Sequence, residues 1–383
     1  MILLARAVLS LYGWTEPDVS DAAVRALDRI QPPAPDADLD RGAQRLIARI
    51  LGIEPDLLYQ EAAARTDMAA GYYNHNVRVE GALGTVNVRI PVAGADVMDL
   101  RQWPEALVVR AIEASVAAAP RLRWESRSPK YQIHDYIEGE LLDRIAPRGV
   151  AVPAHVPMDV AAFFGELREV PSDRLPVTAG ENRGDPVSFA RRLSEVSQRV
   201  YREARESFGP LYRELEVPAD PFAGILDSWT TLQARPFRLL HSDVHRKNMI
   251  IRDGRVVFID WELALFGDPV YDVATHLHKM GYFPAEREAL LTAWAAAEPA
   301  AAVGNWAADL QTYLNHERVK SVVVDAVRYA KVLADGELRP EDEQLLVSNF
   351  VGKLEWAREI WGHAEPVAPA RVETALRSWA RST

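Results

Sequence analysis

The chain has 383 residues, of which 48% are hydrophobic and 26% charged, a composition that excludes disordered, collagen-like and low-complexity proteins. It contains no cysteine, which excludes disulfide frameworks, thiolate catalysis and cysteine-ligated metal sites. The formal net charge of -11 disfavours nucleic acid as a partner. Because no stretch approaches ~20 apolar residues and no signal-peptide pattern is visible, we expect no membrane partner and a cytoplasmic location.

The first third of the chain is predicted to begin with helices and then change to β-structure. Apolar spacing predicts three helices, at Leu3–Leu11, Asp21–Ile30 and Leu39–Leu51. Alternating apolar and polar residues then predict a hairpin over 76–90, with its turn at Gly81–Gly84. A helix opened by Pro104 is expected to reach Ala118. Two short strands follow, Leu122–Glu125 and Lys130–Ile137.

Beyond Gly139 the chain is predicted to be mainly helical, with one β interruption. The helices are expected at Pro157–Leu167, Pro186–Ser207, Ala223–Ala234 and from Pro284 onward. The strands are expected at Phe237–Leu240, Met249–Arg252 and Val256–Ile259, the last two joined by Asp253-Gly254. These elements predict an α+β protein with a small lobe over residues 1–138, a hinge near Gly139 and a larger helical lobe over residues 139–383.

The residues with the clearest chemistry lie in the β interruption. The polar segment 241–248 lies between two predicted strands, and Asp260 ends the hairpin that follows. Strand ends therefore bring Asp243, Asn248 and Asp260 together. Phosphoryl transfer needs a carboxylate that accepts the hydroxyl proton, a role that suits Asp243, and hard oxygen ligands for Mg²⁺, which suit Asn248 and Asp260.

The motifs of this region resemble those of the aminoglycoside phosphotransferase family. The matching residues are His241-x-Asp243-x4-Asn248, Ile259-Asp260-Trp261 and Gly267-Asp268-Pro269-x2-Asp272. The resemblance implies a bilobal protein-kinase-like fold, shared with choline and homoserine kinases, and ATP or GTP as phosphate donor. It implies that Asp243 is the catalytic base, that His241 orients the loop, that Asn248 and Asp260 hold Mg²⁺, and that Asp272 supports the loop.

The same resemblance implies a nucleotide site upstream. Arg89 lies in the hairpin strand where the family usually has lysine, and Arg is not equivalent to Lys at a shaped site. Of Glu105 and Glu113, Glu105 is the preferred partner for that cation. The backbone near Asp135 and Ile137 is expected to bind the adenine edge. The segment 71–76, with Asn74, is expected to cover the phosphates.

The acceptor is predicted to be a small hydroxylated molecule, since no activation-loop segment follows Asp260. Asp272, Arg318, Lys320 and Arg328 are the candidates on the acceptor side. The charged stripe that includes Glu317, Arg318 and Lys320 is interpreted either as a solvated helix face or as the acceptor pocket. Its positive balance favours a neutral or anionic acceptor over an aminoglycoside, because a buried ammonium needs carboxylate partners.

Several alternatives stay open at this point. On the family resemblance, the expected acceptor is an antibiotic of nucleoside, macrolide or aminoglycoside type, whose phosphorylation would confer resistance. The alternative acceptor is a metabolite such as choline, homoserine or a sugar. The replacement of lysine by Arg89 also allows a catalytically silent nucleotide-binding protein. A different chemistry for His241, Asp243 and His245 is a hydrolytic metal centre.

Overall fold

The computed structural model describes residues 48–49, 52–65, 69–70, 73–82, 84–92, 99–177, 184–336, 338–363, 365 and 367–382. The predicted helices Leu3–Leu11 and Asp21–Ile30, and most of Leu39–Leu51, lie outside these residues. Contacts divide the chain into two units. The first combines the described part of Met1–Ala95 with Pro120–Tyr136, and the second combines the described part of Asp96–Ala119 with Ile137–Thr383.

The first unit is an antiparallel sheet with one described helix on it. The elements are α1 (Glu54–Ala63), β1 (Ala69–Ala70), β2 (Asn74–Gly81), β3 (Gly84–Pro91), β4 (Leu122–Arg127) and β5 (Lys130–Asp135). The strand order is β1-β2-β3-β5-β4, and the predicted hairpin is confirmed as β2 and β3. Its inward face is apolar because alternate residues such as Val77, Val79 and Val88 pack with Leu58 of α1.

The second unit is mainly helical and contains two small sheets. Its first elements are α2 (Glu105–Ile112), β6 (Glu140–Leu141), α3 (Leu142–Ile145), α4 (Val156–Glu166), α5 (Pro186–Glu214), α6 (Ala223–Leu226) and β7 (Arg238–Leu240). Those that follow are β8 (Met249–Arg252), β9 (Arg255–Phe258), β10 (Leu265–Gly267), α7 (Pro269–Met280), α8 (Pro284–Ala297), α9 (Trp306–Asp335), α10 (Pro340–Ile360) and α11 (Pro369–Ser382). β7 pairs with β10, and β6, β8 and β9 form the second sheet.

Several boundaries differ from the predicted ones for local reasons. α5 continues through Pro210 instead of ending at Ser207, because its buried face remains packed beyond that point. The helix predicted over 223–234 is a short α-helix followed by a 3-10 turn, Asp227–Thr231. The turn between β8 and β9 has positive φ at Asp253 and Gly254, the conformation that an Asp-Gly hairpin requires.

The predicted boundary between residues 138 and 139 assigns the segment 96–119 to the first lobe, whereas the contacts of its described residues, 99–119, group them with the second unit. One contact behind this grouping is made by the amide of Phe258 in β9, which donates to the carbonyl of Ala118, 2.8 Å away. Gly139 packs closely on β8, where a Cβ would overlap the carbonyl oxygen of Ile251. No described helix is long and apolar enough to cross a membrane.

Candidate active site

The polar loop 241–248 lies between two strands that are paired to different partners. β7, which precedes it, is fully buried and pairs with β10. β8, which follows it, pairs with β9, and the amide of Ile259 then donates to the carbonyl of Asn248 at 3.0 Å. The loop is therefore anchored at both ends, and its end lies beside the residue that precedes Asp260.

Asp272 of α7 holds the start of this loop. Its carboxylate accepts the backbone N–H of His241 at 2.9 Å and that of Ser242 at 2.8 Å. Ser242 has a φ of 60°, a left-handed conformation that a non-glycine residue adopts only under constraint. Burial raises the pKa of Asp272 to about 7, although the two amide bonds oppose that rise. Asp272 is 1% exposed, so its carboxylate serves the loop backbone.

The Gly267-Asp268-Pro269 motif lies at the start of α7, where each residue has a structural role. A Cβ at Gly267 would overlap the ring of Phe189. Asp268 caps the helix by accepting the amide of Val270 at 2.9 Å, and its other oxygen accepts from Arg235 at 2.7 Å. These contacts fix the start of the helix that carries Asp272.

Asp243 projects from the loop into a cluster of polar donors. Asn248 donates its amide nitrogen to Asp243 Oδ2 at 2.9 Å and to the Asp243 carbonyl at 3.0 Å. Lys279 forms an ion pair with Oδ1, and His245 Nε2 lies 3.6 Å from the same oxygen. Burial alone would raise the pKa of Asp243, but the ammonium group of Lys279 and the contact with His245 outweigh burial and lower that pKa. Asp243 is therefore an ionised carboxylate.

His241 lies behind this carboxylate, within the core. Its ring contacts Trp261 and Phe163, with ring centroids 4.5 Å and 6.0 Å away. Its Nδ1 accepts the amide of Asp243 at 3.3 Å. Burial lowers the pKa of His241 to about 4, so the ring is neutral and braces the loop.

Asn248 and Asp260 present the oxygen atoms that a Mg²⁺ ion prefers. Both hydrogen bonds of Asn248 to Asp243 come from its amide nitrogen, which turns its side-chain oxygen away from that carboxylate. Asp260 has a φ of 70°, and the next residue, Trp261, donates its amide to Glu105 Oε1 at 3.1 Å. These two side chains fit a magnesium site in their chemistry.

The histidines of the loop 241–248 are not arranged as ligands of a metal ion. The described residues contain no group of three or more His, Asp or Glu side chains arranged to hold a metal ion. His241 packs between aromatic rings, and His245 Nδ1 accepts the amide of Lys247 at 3.3 Å. The side chains of His241, Asp243 and His245 therefore lack the arrangement that the hydrolytic metal centre would need.

The residues expected on the nucleotide side lie mainly in the first unit. Arg89 in β3 is 6% exposed and is paired in register with Asn76 and Gln132. Asn74 is the first residue of β2. Asp135 ends β5, and its amide donates to the carbonyl of Arg121 at 2.9 Å. The expected adenine contact of Asp135 therefore does not use this N–H. Ile137 belongs to the second unit.

Glu105, predicted to pair with Arg89, begins α2 in the second unit and is 7% exposed. Its observed role is the hydrogen bond from Trp261 described above. Glu105 therefore positions the segment that carries Asp260. Its pairing with Arg89 stays a prediction.

The acceptor-side candidates of α9 are engaged with neighbouring side chains. Lys320 lies 2.5 Å from Glu317 Oε1 and 3.1 Å from the hydroxyl of Tyr271. The guanidinium of Arg318 lies over the ring of Trp356, 5.7 Å from its centroid. Arg328 lies on the same helix, partly exposed.

The interpretation of this stripe as a solvated helix face is wrong at Glu317, which is 0% exposed. Burial raises its pKa, but Lys320 and His316 outweigh that effect and lower it. Tyr271 of α7 donates its hydroxyl to the same carboxylate at 2.8 Å. Glu317 and Lys320 therefore face α7, the helix that also carries Asp272 and Lys279.

Three residues that hold the loop were missed from the sequence. Arg246 donates Nε to the carbonyl of Met280 at 2.9 Å and Nη1 to that of Val150 at 3.0 Å. His276 bonds the carbonyl of Val244 through Nδ1 at 2.8 Å. Lys279 lies two helical turns after Asp272, and this spacing alone would have placed both on one face of α7.

Comparisons with known proteins identify the family of the chain. The APH family model, described as the phosphotransferase enzyme family, matches residues 65–307. Protein LicA of Haemophilus influenzae is 45% identical over 38 residues, which are 10% of this chain. The chain spans only 14% of the length of that curated relative.

Two solved structures are similar over most of the chain. An ethanolamine kinase of Plasmodium vivax has 12% identity and a TM-score of 0.54, over 90% of this chain and 98% of that one. A macrolide 2'-phosphotransferase of Brachybacterium faecium has 16% identity and a TM-score of 0.46, over 78% and 97% of the two chains. The kinase-like α+β fold predicted from the sequence is confirmed, and the chain belongs to the phosphotransferase enzyme family.

Proposed function

We propose that the protein transfers the terminal phosphoryl group of ATP or GTP to a hydroxyl group of a small molecule, in a reaction that requires Mg²⁺. The observation that carries this proposal is the ionised carboxylate of Asp243, held by Asn248 and Lys279 on a loop whose backbone is fixed by Asp272. Such a carboxylate orients an attacking hydroxyl and takes its proton.

We assign the proton transfer and the metal binding to different side chains of the site. Asp243 accepts the proton of the acceptor hydroxyl, whose oxygen forms the new bond to phosphorus while the bond to the leaving nucleoside diphosphate breaks. Asn248 and Asp260 would hold Mg²⁺, which neutralises charge on the nucleotide phosphates. Glu105 keeps Asp260 in place through the amide of Trp261. Phosphoryl transfer gains mainly from positioning and charge stabilisation, which matches this division.

The acceptor is proposed to be neutral or anionic near the reacting hydroxyl. An ammonium group in that place would need a carboxylate without a cation of its own. Asp243 is already paired with Lys279, and Glu317 with Lys320. Neither of these two carboxylates is therefore available to a cationic acceptor.

Within this class, a neutral or acidic antibiotic is the proposed acceptor, and modification of it would give resistance. A metabolite kinase is the second candidate, because similar solved chains include the ethanolamine kinase named above. Ethanolamine carries an ammonium group, so the charge of the acceptor separates the two candidates.

The function is tested by incubating the full chain with ATP or GTP, Mg²⁺ and a panel of hydroxylated compounds. The panel includes nucleoside antibiotics, macrolides, aminoglycosides, choline and ethanolamine. We expect one acceptor without an ammonium near its hydroxyl to gain the mass of one phosphate, and EDTA to abolish the gain. Efficient use of an aminoglycoside, at ~10⁴ M⁻¹s⁻¹ or above, would contradict the acceptor class. Nucleotide binding without consumption across the panel would favour a silent binding protein.

A further inference from the structure

Lys279 occupies a position in the site that the motif does not include. It lies in the last turn of α7, and its side chain is 25% exposed. Its ammonium group bonds Asp243 Oδ1 and lies 3.4 Å from the carbonyl oxygen of Ser242. Because an ammonium group has three N–H donors, one donor remains after these two contacts.

The place of the acceptor oxygen follows from the partners of Asp243. Lys279 lies at Oδ1 and the amide nitrogen of Asn248 at Oδ2. A hydroxyl that donates to this carboxylate lies about 2.7 Å from one of its oxygens. A carboxylate has about four acceptor positions, so the hydroxyl has room beside both existing partners. A hydroxyl oxygen bound at Oδ1 then lies within roughly 5 Å of the ammonium group of Lys279, and the phosphoryl group that it attacks lies next to that oxygen.

We propose that Lys279 is a catalytic residue that donates its remaining N–H to the phosphoryl group during transfer. This inference rests on the proposed function and adds a reacting group to it. Before transfer, Lys279 balances the charge of the Asp243 carboxylate. When Asp243 takes the hydroxyl proton, that carboxylate becomes neutral, and the new phosphate ester carries the negative charge beside it. The ammonium group then balances the negative charge of the phosphate with little movement.

A purely structural role for Lys279 makes different predictions. If the lysine only held Asp243 or α7 in place, its loss would weaken folding, and catalysis would recover with any side chain that restored packing. If a side chain contacts the phosphoryl group only in the transition state, removing that side chain lowers kcat. The affinity for the ground-state nucleotide stays unchanged. The two roles are therefore separated by comparing ground-state and transition-state binding.

The test uses full-length Lys279→Met, Lys279→Gln and Lys279→Arg, with MgADP alone and MgADP plus aluminium fluoride as probes. The fluoride complex resembles the phosphoryl group between donor and acceptor. Lys353→Met is the matched control, because Lys353 forms a 2.5 Å ion pair with Asp325 on two other helices of the same unit. Calorimetry gives the two affinities, and slow hydrolysis of ATP by water gives kcat.

For the Met and Gln variants we expect MgADP affinity within about threefold of the unsubstituted chain. Their kcat, and the affinity gained on adding aluminium fluoride, should each fall by about 10²–10³-fold, the usual cost of losing one transition-state donor. Lys279→Arg should recover at least a tenth of kcat, and Lys353→Met should retain both quantities.

The role of Lys279 would be overturned if Lys279→Met or Lys279→Gln kept the affinity gained with aluminium fluoride and also kept more than a tenth of kcat. If one of these variants does not fold, the other decides the result by the same criteria. If the unsubstituted chain binds no MgADP, the proposed function itself fails. That outcome is distinguishable because it appears without any substitution.

Discussion

The catalytic loop and the helix α9 both bury charged side chains, but they do so with different partners. The side chains that hold the loop in place bind backbone groups: Asp272 accepts two amides, and Arg246 donates to the carbonyls of Met280 and Val150. On α9, charged side chains bind one another, as Glu317 does with Lys320 and Asp325 with Lys353. Backbone contacts fix the shape of a loop, whereas pairs between side chains hold helices together. Substitutions in the two regions should therefore affect activity and stability differently.

The largest expected effect comes from Asp260→Ala, which removes the anionic oxygen ligand beside the loop. We expect Mg²⁺-dependent turnover to be abolished, because the amide of Asn248 alone offers one neutral ligand. Steady-state assays over a Mg²⁺ series measure this. Asn248→Ala is the milder comparison and should raise the Mg²⁺ concentration required. Normal use of Mg²⁺-nucleotide by Asp260→Ala would place the metal elsewhere.

Asp272→Ala tests the backbone contacts of the loop. Two buried amides lose their acceptor, at about 1–3 kcal/mol each, and the strained conformation of Ser242 loses its support. We expect kcat to fall by about 10²-fold, since a displacement of about 1 Å at a catalytic group has that cost. Urea unfolding and turnover are measured on the same preparation. Unchanged turnover at reduced stability would show that the loop keeps its shape without Asp272.

Asp325→Asn tests the contrasting region, because it breaks the buried ion pair with Lys353 on α10. The free energy of unfolding should fall by on the order of 3 kcal/mol, since one buried charge loses its partner. Turnover at a temperature well below the unfolding midpoint should stay within about threefold. A large fall in kcat of the folded variant would mean that this helix pair also shapes the reacting groups.

The smallest effect concerns His276, which bonds the loop carbonyl of Val244. Burial lowers its pKa to about 3, below the 6.5 of an unperturbed histidine. Between these values the unfolded chain binds more protons, so the free energy of unfolding falls as the pH falls below 6.5. His276→Gln should flatten this slope by up to about 1.4 kcal/mol per pH unit. Denaturant unfolding at pH 6.5 and 5 measures it, and identical slopes would contradict a neutral buried histidine.

The sequence allowed the loop to be predicted because its determinants are close together in the chain. Strand ends are followed by Asp243, Asn248 and Asp260. In the next segment, Gly267 packs closely on the ring of Phe189, Asp268 caps the helix and Pro269 begins it. Local spacing encodes each of these features. The hairpin of β2 and β3 was predictable for the same reason.

Contacts between distant elements were not predictable in this way. Glu105 accepts the amide of Trp261, far along the chain, and Glu317 accepts the hydroxyl of Tyr271 from another helix. A charged residue at helical spacing looks the same in sequence whether it meets solvent or a second helix. Lys279 was missed because its partner, Asp243, lies on a loop that folds back onto α7.

The central claim is that Asp243 accepts the hydroxyl proton in a phosphoryl transfer, and Asp243→Asn tests it most directly. The substitution keeps the size of the side chain and removes its ability to take a proton. Turnover and Mg²⁺-nucleotide affinity are measured for both proteins under the same conditions. We predict an affinity within about threefold of the unsubstituted chain and a turnover lowered by ~10²–10⁴-fold. Retention of more than about a tenth of the turnover would contradict it.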